Sequence, residues 1–243
     1  MTEAEPKPSR ALPEAATRVL RSFVQRAGRL TPAQQRALDE LWPKYGLEIA
    51  HGPLSAPACF GRTAPAVLEI GFGNGEALIH GALHSRERDF IGIEVHKPGV
   101  GRALNAVESN ALTNVRLYAE DAVEVLKQCI GEAALSEVRI YFPDPWHKKR
   151  HVKRRLIQPG FVELLSSRIA PGGLLHLATD WQPYAEQMWE VMDASSTFRN
   201  TEGPGGHVPR PDGRPETHFE RRGLRLGHGL GVLLYLSLIH ISQ

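Results

Sequence analysis

Five short apolar runs, each followed by a stretch of helix length, constrain this chain more than any other feature. The runs are Ala66–Ile70, Phe90–Val95, Val115–Ala119, Val138–Phe142 and Gly173–Ala178. Gly75–His84, Gly99–Ala111, Ala122–Ile130 and Gly160–Ile169 lie between them with helical spacing, and Pro183–Asp193 follows the fifth run. Short apolar strands alternating with helices predict an α/β fold. Its units are βαβ, its sheet is mostly parallel with helices on both faces, and its crossovers are right-handed. Upstream, Thr31-Pro32 pairs an N-cap with proline at the first helical position, which predicts a helix ending near Trp42, before Pro43. Residues 51–65 carry Gly, Pro and Ser and read as a loop. A hydrophobic content of 42% over 243 residues suits one domain, placed at 29–236. Residues 1–28 read as a flexible basic arm. Pro6, Pro8 and Pro13 oppose a helix at its start, and a helix over Ala15–Ala27 carries Arg18, Arg21 and Arg26. That arm is either solvated or a contact to nucleic acid.

In open parallel sheets a ligand binds beyond the carboxyl ends of the strands, so the residues there carry the chemistry. The first run ends Leu68-Glu69-Ile70-Gly71-Phe72-Gly73-Asn74-Gly75. Gly71 and Gly73 allow a tight turn and a close approach of ligand to backbone. The spacing is not the dinucleotide G-x-G-x-x-G, because position 76 is Glu. Glu69 beside the loop would repel a pyrophosphate and suits a cationic ligand, which favours S-adenosyl-L-methionine over NAD. Glu94 ends the second run, about 20 residues on, where an acid accepts from ribose hydroxyls. Asp121, after the third run, is placed to accept from an adenine amino group, to cap the helix beginning near Ala122, or both. The fourth run ends Phe142-Pro143-Asp144-Pro145-Trp146. Proline on each side holds Asp144 extended and rigid at the same edge.

Six Lys or Arg crowd into Lys148–Arg155 directly after this loop. Beside a cofactor edge such a run reads as a grip on phosphates, which positions a nucleic acid rather than reading its bases. Trp146 is either a stacking platform or core. Asp180 follows the fifth run, and a polar, basic stretch spans Arg214–Gly223. The two cysteines, Cys59 and Cys129, lie far apart without a C-x-x-C, which predicts a reducing compartment and no zinc site. No secretory h-region is present, and the longest apolar stretch, Leu230–Ile239, is too short to span a bilayer. The cytoplasm is the expected location.

Leu-Glu-Ile-Gly-Phe-Gly-Asn-Gly (68–75), Gly-Ile-Glu-Val-His (92–96), Phe-Pro-Asp-Pro-Trp-His-Lys-Lys-Arg-His (142–151), Ala-Thr-Asp-Trp (178–181) and Thr-His-Phe-Glu-Arg-Arg-Gly (217–223) together resemble the bacterial tRNA (guanine-N7-)-methyltransferase family. The resemblance covers roughly Gly28–Gly229. It implies a Rossmann-like class I methyltransferase fold with a seven-stranded sheet. It implies that Glu69, Glu94 and Asp121 contact S-adenosyl-L-methionine and that Asp144 is catalytic and also reaches the cofactor. It assigns Lys148, Asp180, Thr217, His218, Phe219 and Glu220 to substrate, and Arg150, His151, Val152, Lys153, Arg154 and Arg155 to RNA. The implied reaction methylates N7 of guanine 46 in the tRNA variable loop, by a monomer or homodimer without a metal.

Two departures stand out. His218 replaces the Lys usual in the family, and the tail reads Leu-Gly-Val-Leu-Leu-Tyr-Leu-Ser-Leu-Ile-His-Ile-Ser-Gln (230–243) instead of a short aromatic and acidic strand. The tail therefore puts the last strand in doubt, and 237–243 is set apart as atypical. Rival readings are an NAD-dependent oxidoreductase, another RNA, DNA or protein methyltransferase on this fold, and a catalytically dead RNA-binding relative. The last is disfavoured because Glu69, Glu94 and Asp144 are all present.

Overall fold

The computed structural model describes residues 22–23, 28–210, 214–216, 220–221 and 231–238. The chain begins with α1 (Pro32–Glu40), α2 (Trp42–Tyr45) and the two-residue strand β1 (Gly46–Leu47). A 3-10 turn (Ile49–His51) leads into the stretch 51–65 expected as a loop, within which α3 (Ala56–Phe60) forms. Then follow β2 (Ala66–Ile70), α4 (Glu76–His84), β3 (Asp89–Ile93), α5 (Lys97–Ser109), β4 (Val115–Tyr118), α6 (Ala122–Gln128) and β5 (Leu135–Tyr141). A 3-10 helix (Lys149–Arg154), α7 (Pro159–Arg168), β6 (Ile169–Thr179), α8 (Gln182–Asp193), β7 (Phe198–Asn200) and β8 (Gly231–Ser237) complete it.

Local chemistry explains these boundaries. Thr31 caps α1 reciprocally with Gln34, with Pro32 in the first turn. Asp121 caps α6 by accepting from Val123 N at 2.9 Å. β3 is buried at every position, as a strand covered on both faces must be.

One sheet runs in the order β1-β4-β3-β2-β5-β6-β8-β7. The pairs from β1 through β6 are parallel, and β8 is antiparallel to both β6 and β7. Among the described residues the sheet has eight strands, where the family resemblance implied seven; the short β1 accounts for the difference. On one face α1, α4 and α5 supply Ala37, Leu78, Leu104 and Val107 to the core. On the other, α6, α7 and α8 supply Leu126, Leu165, Met188 and Met192. The doubted last strand forms. Val232, Leu233 and Tyr235 are buried, and β8 holds six register pairs with β6. Residues 239–243 lie outside the described residues.

β2 leads to β3 and β4 on one side, and the chain then returns to β5 on the other side of β2. That reversal opens a crevice between the carboxyl ends of β2 and β5.

Candidate active site

A cavity of about 380 Å³ occupies this crevice. Ile70, Gly71 and Gly73 line it from the glycine loop, Glu94 and His96 from beyond β3, Glu120 and Asp121 from beyond β4, and Tyr141–Asp144 from beyond β5. Neighbouring parallel strands thus deliver their acids to one space.

The glycine loop is tight. Gly71, Gly73 and Gly75 have φ of 74°, 56° and 81°, in the left-handed region where side chains are strained. Its orientation is fixed by Glu94, whose Oε2 accepts from Gly73 N and whose Oε1 accepts from His96 N, each at 2.8 Å. Asp121 caps α6 and lines the cavity, so both of its expected roles are compatible. Glu69 is placed differently. It is buried beneath the loop and is not among the lining residues. Its register neighbour on β5 is Arg139. Burial pushes its carboxyl up to about 7, with Arg139 pulling against the rise.

The Asp144 loop is held in a strained shape. Phe142 and Trp146, which bracket Pro143-Asp144-Pro145, have φ of 52° and 45° although neither is glycine. Phe142 N donates to Ala178 O at 2.8 Å, and Arg155 Nε donates to Pro145 O at 2.8 Å. Strain of this kind persists only where its surroundings enforce it. Asp144 itself is solvent-exposed at the cavity wall. Asp180 and Lys148 lie outside the lining, Asp180 just past the end of the adjacent β6. The two strand-end loops meet where His147 packs edge-on against Trp181, with centroids 4.4 Å apart.

The basic run is a 3-10 helix, in which residues three apart share a face. His151 and Arg154 face Trp146: the His151 ring meets it edge-on at 5.6 Å, and the Arg154 guanidinium lies 4.6 Å from its centroid. Trp146 is half-buried and donates Nε1 to Ser22 O at 2.9 Å. It is therefore neither an open stacking platform nor core. Lys148, Lys149, Arg150 and Lys153 are exposed, while Val152 is half-buried. Partial burial and the charges of Arg150, Arg154 and Lys148 push the His151 imidazole below its usual range.

Arg155 departs from the expected RNA-contacting role. It is buried, donates to Pro145 O, Pro183 O and Gln187 Oε1, and stacks 4.8 Å over Tyr184. A guanidinium spent on protein acceptors and closed to solvent cannot meet a phosphate. Arg155→Met should cost about 2–3 kcal/mol and lower Tm by roughly 5–10 °C. Arg150→Met should leave Tm within about 1 °C. Thermal melts of the two variants check this contrast.

Thr217, His218 and Phe219 lie outside the described residues, as does most of the helix expected over Ala15–Ala27. Glu220 is buried and ion-paired with Arg214 at 2.9 Å. The sequence reading missed His96, Tyr141, Phe142, Leu156, Ser22 and Phe23 as lining residues. Ser22 and Phe23 belong to the stretch read as a flexible arm. The one available signal was that Phe23 is the only aromatic residue before residue 30.

Among the described residues no helix is long and apolar enough to cross a membrane. A family model described as "Putative methyltransferase" matches residues 63–233. A tRNA (guanine-N(7)-)-methyltransferase of Xanthomonas campestris pv. campestris (strain 8004) is 62% identical over 222 residues, covering 91% of this chain and 85% of that protein. One of Stenotrophomonas maltophilia (strain K279a) is 60% identical over 234 residues, covering 96% and 95%. One of Alcanivorax borkumensis is 55% identical over 218 residues, covering 90% and 91%. With acids at the tips of adjacent strands around a glycine-loop crevice, and with this identity along nearly its whole length, the chain belongs to the tRNA (guanine-N(7)-)-methyltransferase family.

Proposed function

We propose that this protein transfers a methyl group from S-adenosyl-L-methionine to N7 of guanine 46 in the variable loop of tRNA. The observation that carries the reading is the convergence of Gly71, Gly73, Glu94, Asp121 and Asp144 on one cavity with an exposed cationic segment beside it. When bound, S-adenosyl-L-methionine supplies a methyl group activated on a sulfonium. Glu94, already aimed by two backbone amides, accepts from the ribose hydroxyls. Asp121 accepts from the adenine amino group. Glu69, under the loop, provides negative charge toward the cationic end of the cofactor.

Guanine N7 carries a lone pair and no proton, so no base is needed to create the nucleophile. The residues must orient the ring in line with the methyl group. Positive charge develops on the purine, and Asp144, with Asp180, stabilises it as it forms. Lys148, Lys149, Arg150 and Lys153 hold the tRNA backbone. His218, Thr217 and Phe219 complete the substrate side. The cytoplasm is the compartment where such a substrate is met.

Glu69 makes cofactor binding pH-dependent. A cation favours the ionised carboxylate, so below about 7 a proton must leave when the cofactor binds. Affinity should strengthen as pH rises from 6 to 8, by at most about tenfold per unit. Calorimetric titration in buffers of different ionisation enthalpy should record proton release near pH 6.5 in the wild type and none in Glu69→Gln. The free protein has the opposite dependence. Its carboxyl keeps its proton to a higher pH than the unfolded chain's, whose value is 4.5, so this group's stability cost grows between 4.5 and about 7 and is complete above that.

Incubation with methyl-labelled cofactor and unmodified tRNA, followed by nucleoside mapping, tests the reading. The expected product is 7-methylguanosine at position 46. Label at another base, or in DNA or protein, would refute it.

A further inference from the structure

The polar layer between β5 and the C-terminal segment is not used by the mechanism above. Arg214 is almost fully buried: its side chain is 3% exposed and that of its ion-pair partner Glu220 is 2% exposed. Its guanidinium lies 5.1 Å from the Tyr141 ring centroid and 6.0 Å from that of Phe142. Those two residues end β5 and begin the strained loop that carries Asp144. Tyr141 is itself anchored from the sheet, its hydroxyl 2.8 Å from His176 Nδ1 on β6. Burial and then the Arg214 charge push His176 down to about 4, so it stays neutral beside the guanidinium.

The ends of the segment are tied as well. Arg210 ion-pairs with Glu220 at 3.3 Å and with Glu216 at 3.9 Å. Arg221 donates to Glu216 O, closing Glu216 onto its own neighbourhood. Arg221 also meets Glu76, the first residue of the helix after the glycine loop, at 3.3 Å. The Arg221–Glu76 pair is half-exposed and weak, whereas the Arg214–Glu220 pair is sealed. The sealed pair is the one that joins the segment to the base of the Asp144 loop.

We infer that Arg214 is a positioning residue: stacked on Tyr141 and Phe142 and paired with Glu220, it fixes Glu220 against the base of the Asp144 loop for productive tRNA binding. The inference rests on the proposed function for the identity of the substrate. A planar guanidinium lies against both rings at once, whereas lysine preserves the charge and its attraction to an aromatic face but loses the stacking geometry.

The test compares wild type, Arg214→Lys and Arg214→Met in three measurements: affinity for S-adenosyl-L-methionine by calorimetry, steady-state methylation of tRNA, and hydrogen exchange of the 214–221 peptide. Cofactor affinity should stay within about threefold in Arg214→Lys, which keeps the charge acting on Glu69 and so certifies folding; in Arg214→Met the loss should be confined to low pH, where Glu69 holds its proton more tightly without that charge. The kcat/KM for tRNA should fall about thirtyfold in the methionine variant and about fivefold in the lysine variant. Exchange at 214–221 should rise in the same order while β2 and β5 peptides remain protected. If Arg214→Met leaves a charge stranded and fails to fold, Arg214→Lys carries the same readouts. Wild-type exchange at 214–221 in the variants, or an unchanged kcat/KM for tRNA, would overturn the inference. A wild-type protein inactive on every tRNA would instead refute the proposed function and leave the exchange measurement to judge Arg214.

Discussion

Asp144→Asn is expected to lower the rate of methyl transfer at saturating cofactor and tRNA by about 10²-fold, with both dissociation constants little changed. Asparagine keeps the size and hydrogen-bonding reach of the side chain and removes only its charge. The proline on each side and the left-handed Phe142 and Trp146 keep the loop in place, so the substitution does not move it. What is lost is a negative charge at the cavity wall, where the proposed mechanism makes the purine cationic. Single-turnover kinetics read this directly. An unchanged rate with both ligands bound would remove Asp144 from the chemistry.

Neutralising Lys149, Arg150 and Lys153 together to Gln is expected to weaken tRNA binding by about 10²-fold at 0.1 M salt and to flatten the slope of log affinity against log salt by about 2–3. These three side chains are exposed on the 3-10 helix, and in the proposed function they act on phosphates without choosing among bases. The loss should therefore be similar for every tRNA, and kcat at saturation should be nearly intact. The same substitution at Arg155 belongs to another class, because that guanidinium is buried against Pro145, Pro183 and Gln187. Binding measured across a salt series separates the two. A slope unchanged in the triple variant would move the tRNA interface elsewhere.

The strands and the acids at their tips are legible because both follow local rules. An apolar run such as Ala66–Ile70 packs in the middle of a sheet, and a glycine loop after it has few other uses. In the sequence β5 is legible only from Val138, because Glu137 breaks its apolar pattern, while Arg139 falls inside the run. They are tolerated in the sheet because they pair with each other, and Glu137 also pairs with Arg88. Arg155 was misread for a related reason. A run of charges carries no sign of which member turns inward, and only tertiary acceptors decide that. Glu69 is legible as an acid beside the glycine loop but not as a buried one, since its depth depends on the neighbouring β5. Ser22 and Phe23 are hidden because no local pattern in the sequence marks two positions that reach the cavity, one of them by accepting from Trp146 Nε1 through its carbonyl. β8 was doubted on family expectation, yet Val232, Leu233 and Tyr235 supply enough apolar surface to complete the sheet beside β6.

A crystal structure with S-adenosylhomocysteine tests the account most directly. Adenine should lie at Asp121, the ribose hydroxyls at Glu94, and the sulfur should face Asp144 above the Gly71–Gly73 turn. Density for the nucleoside in any other part of the fold, with those acids turned away from it, would mean that this crevice is not the cofactor site.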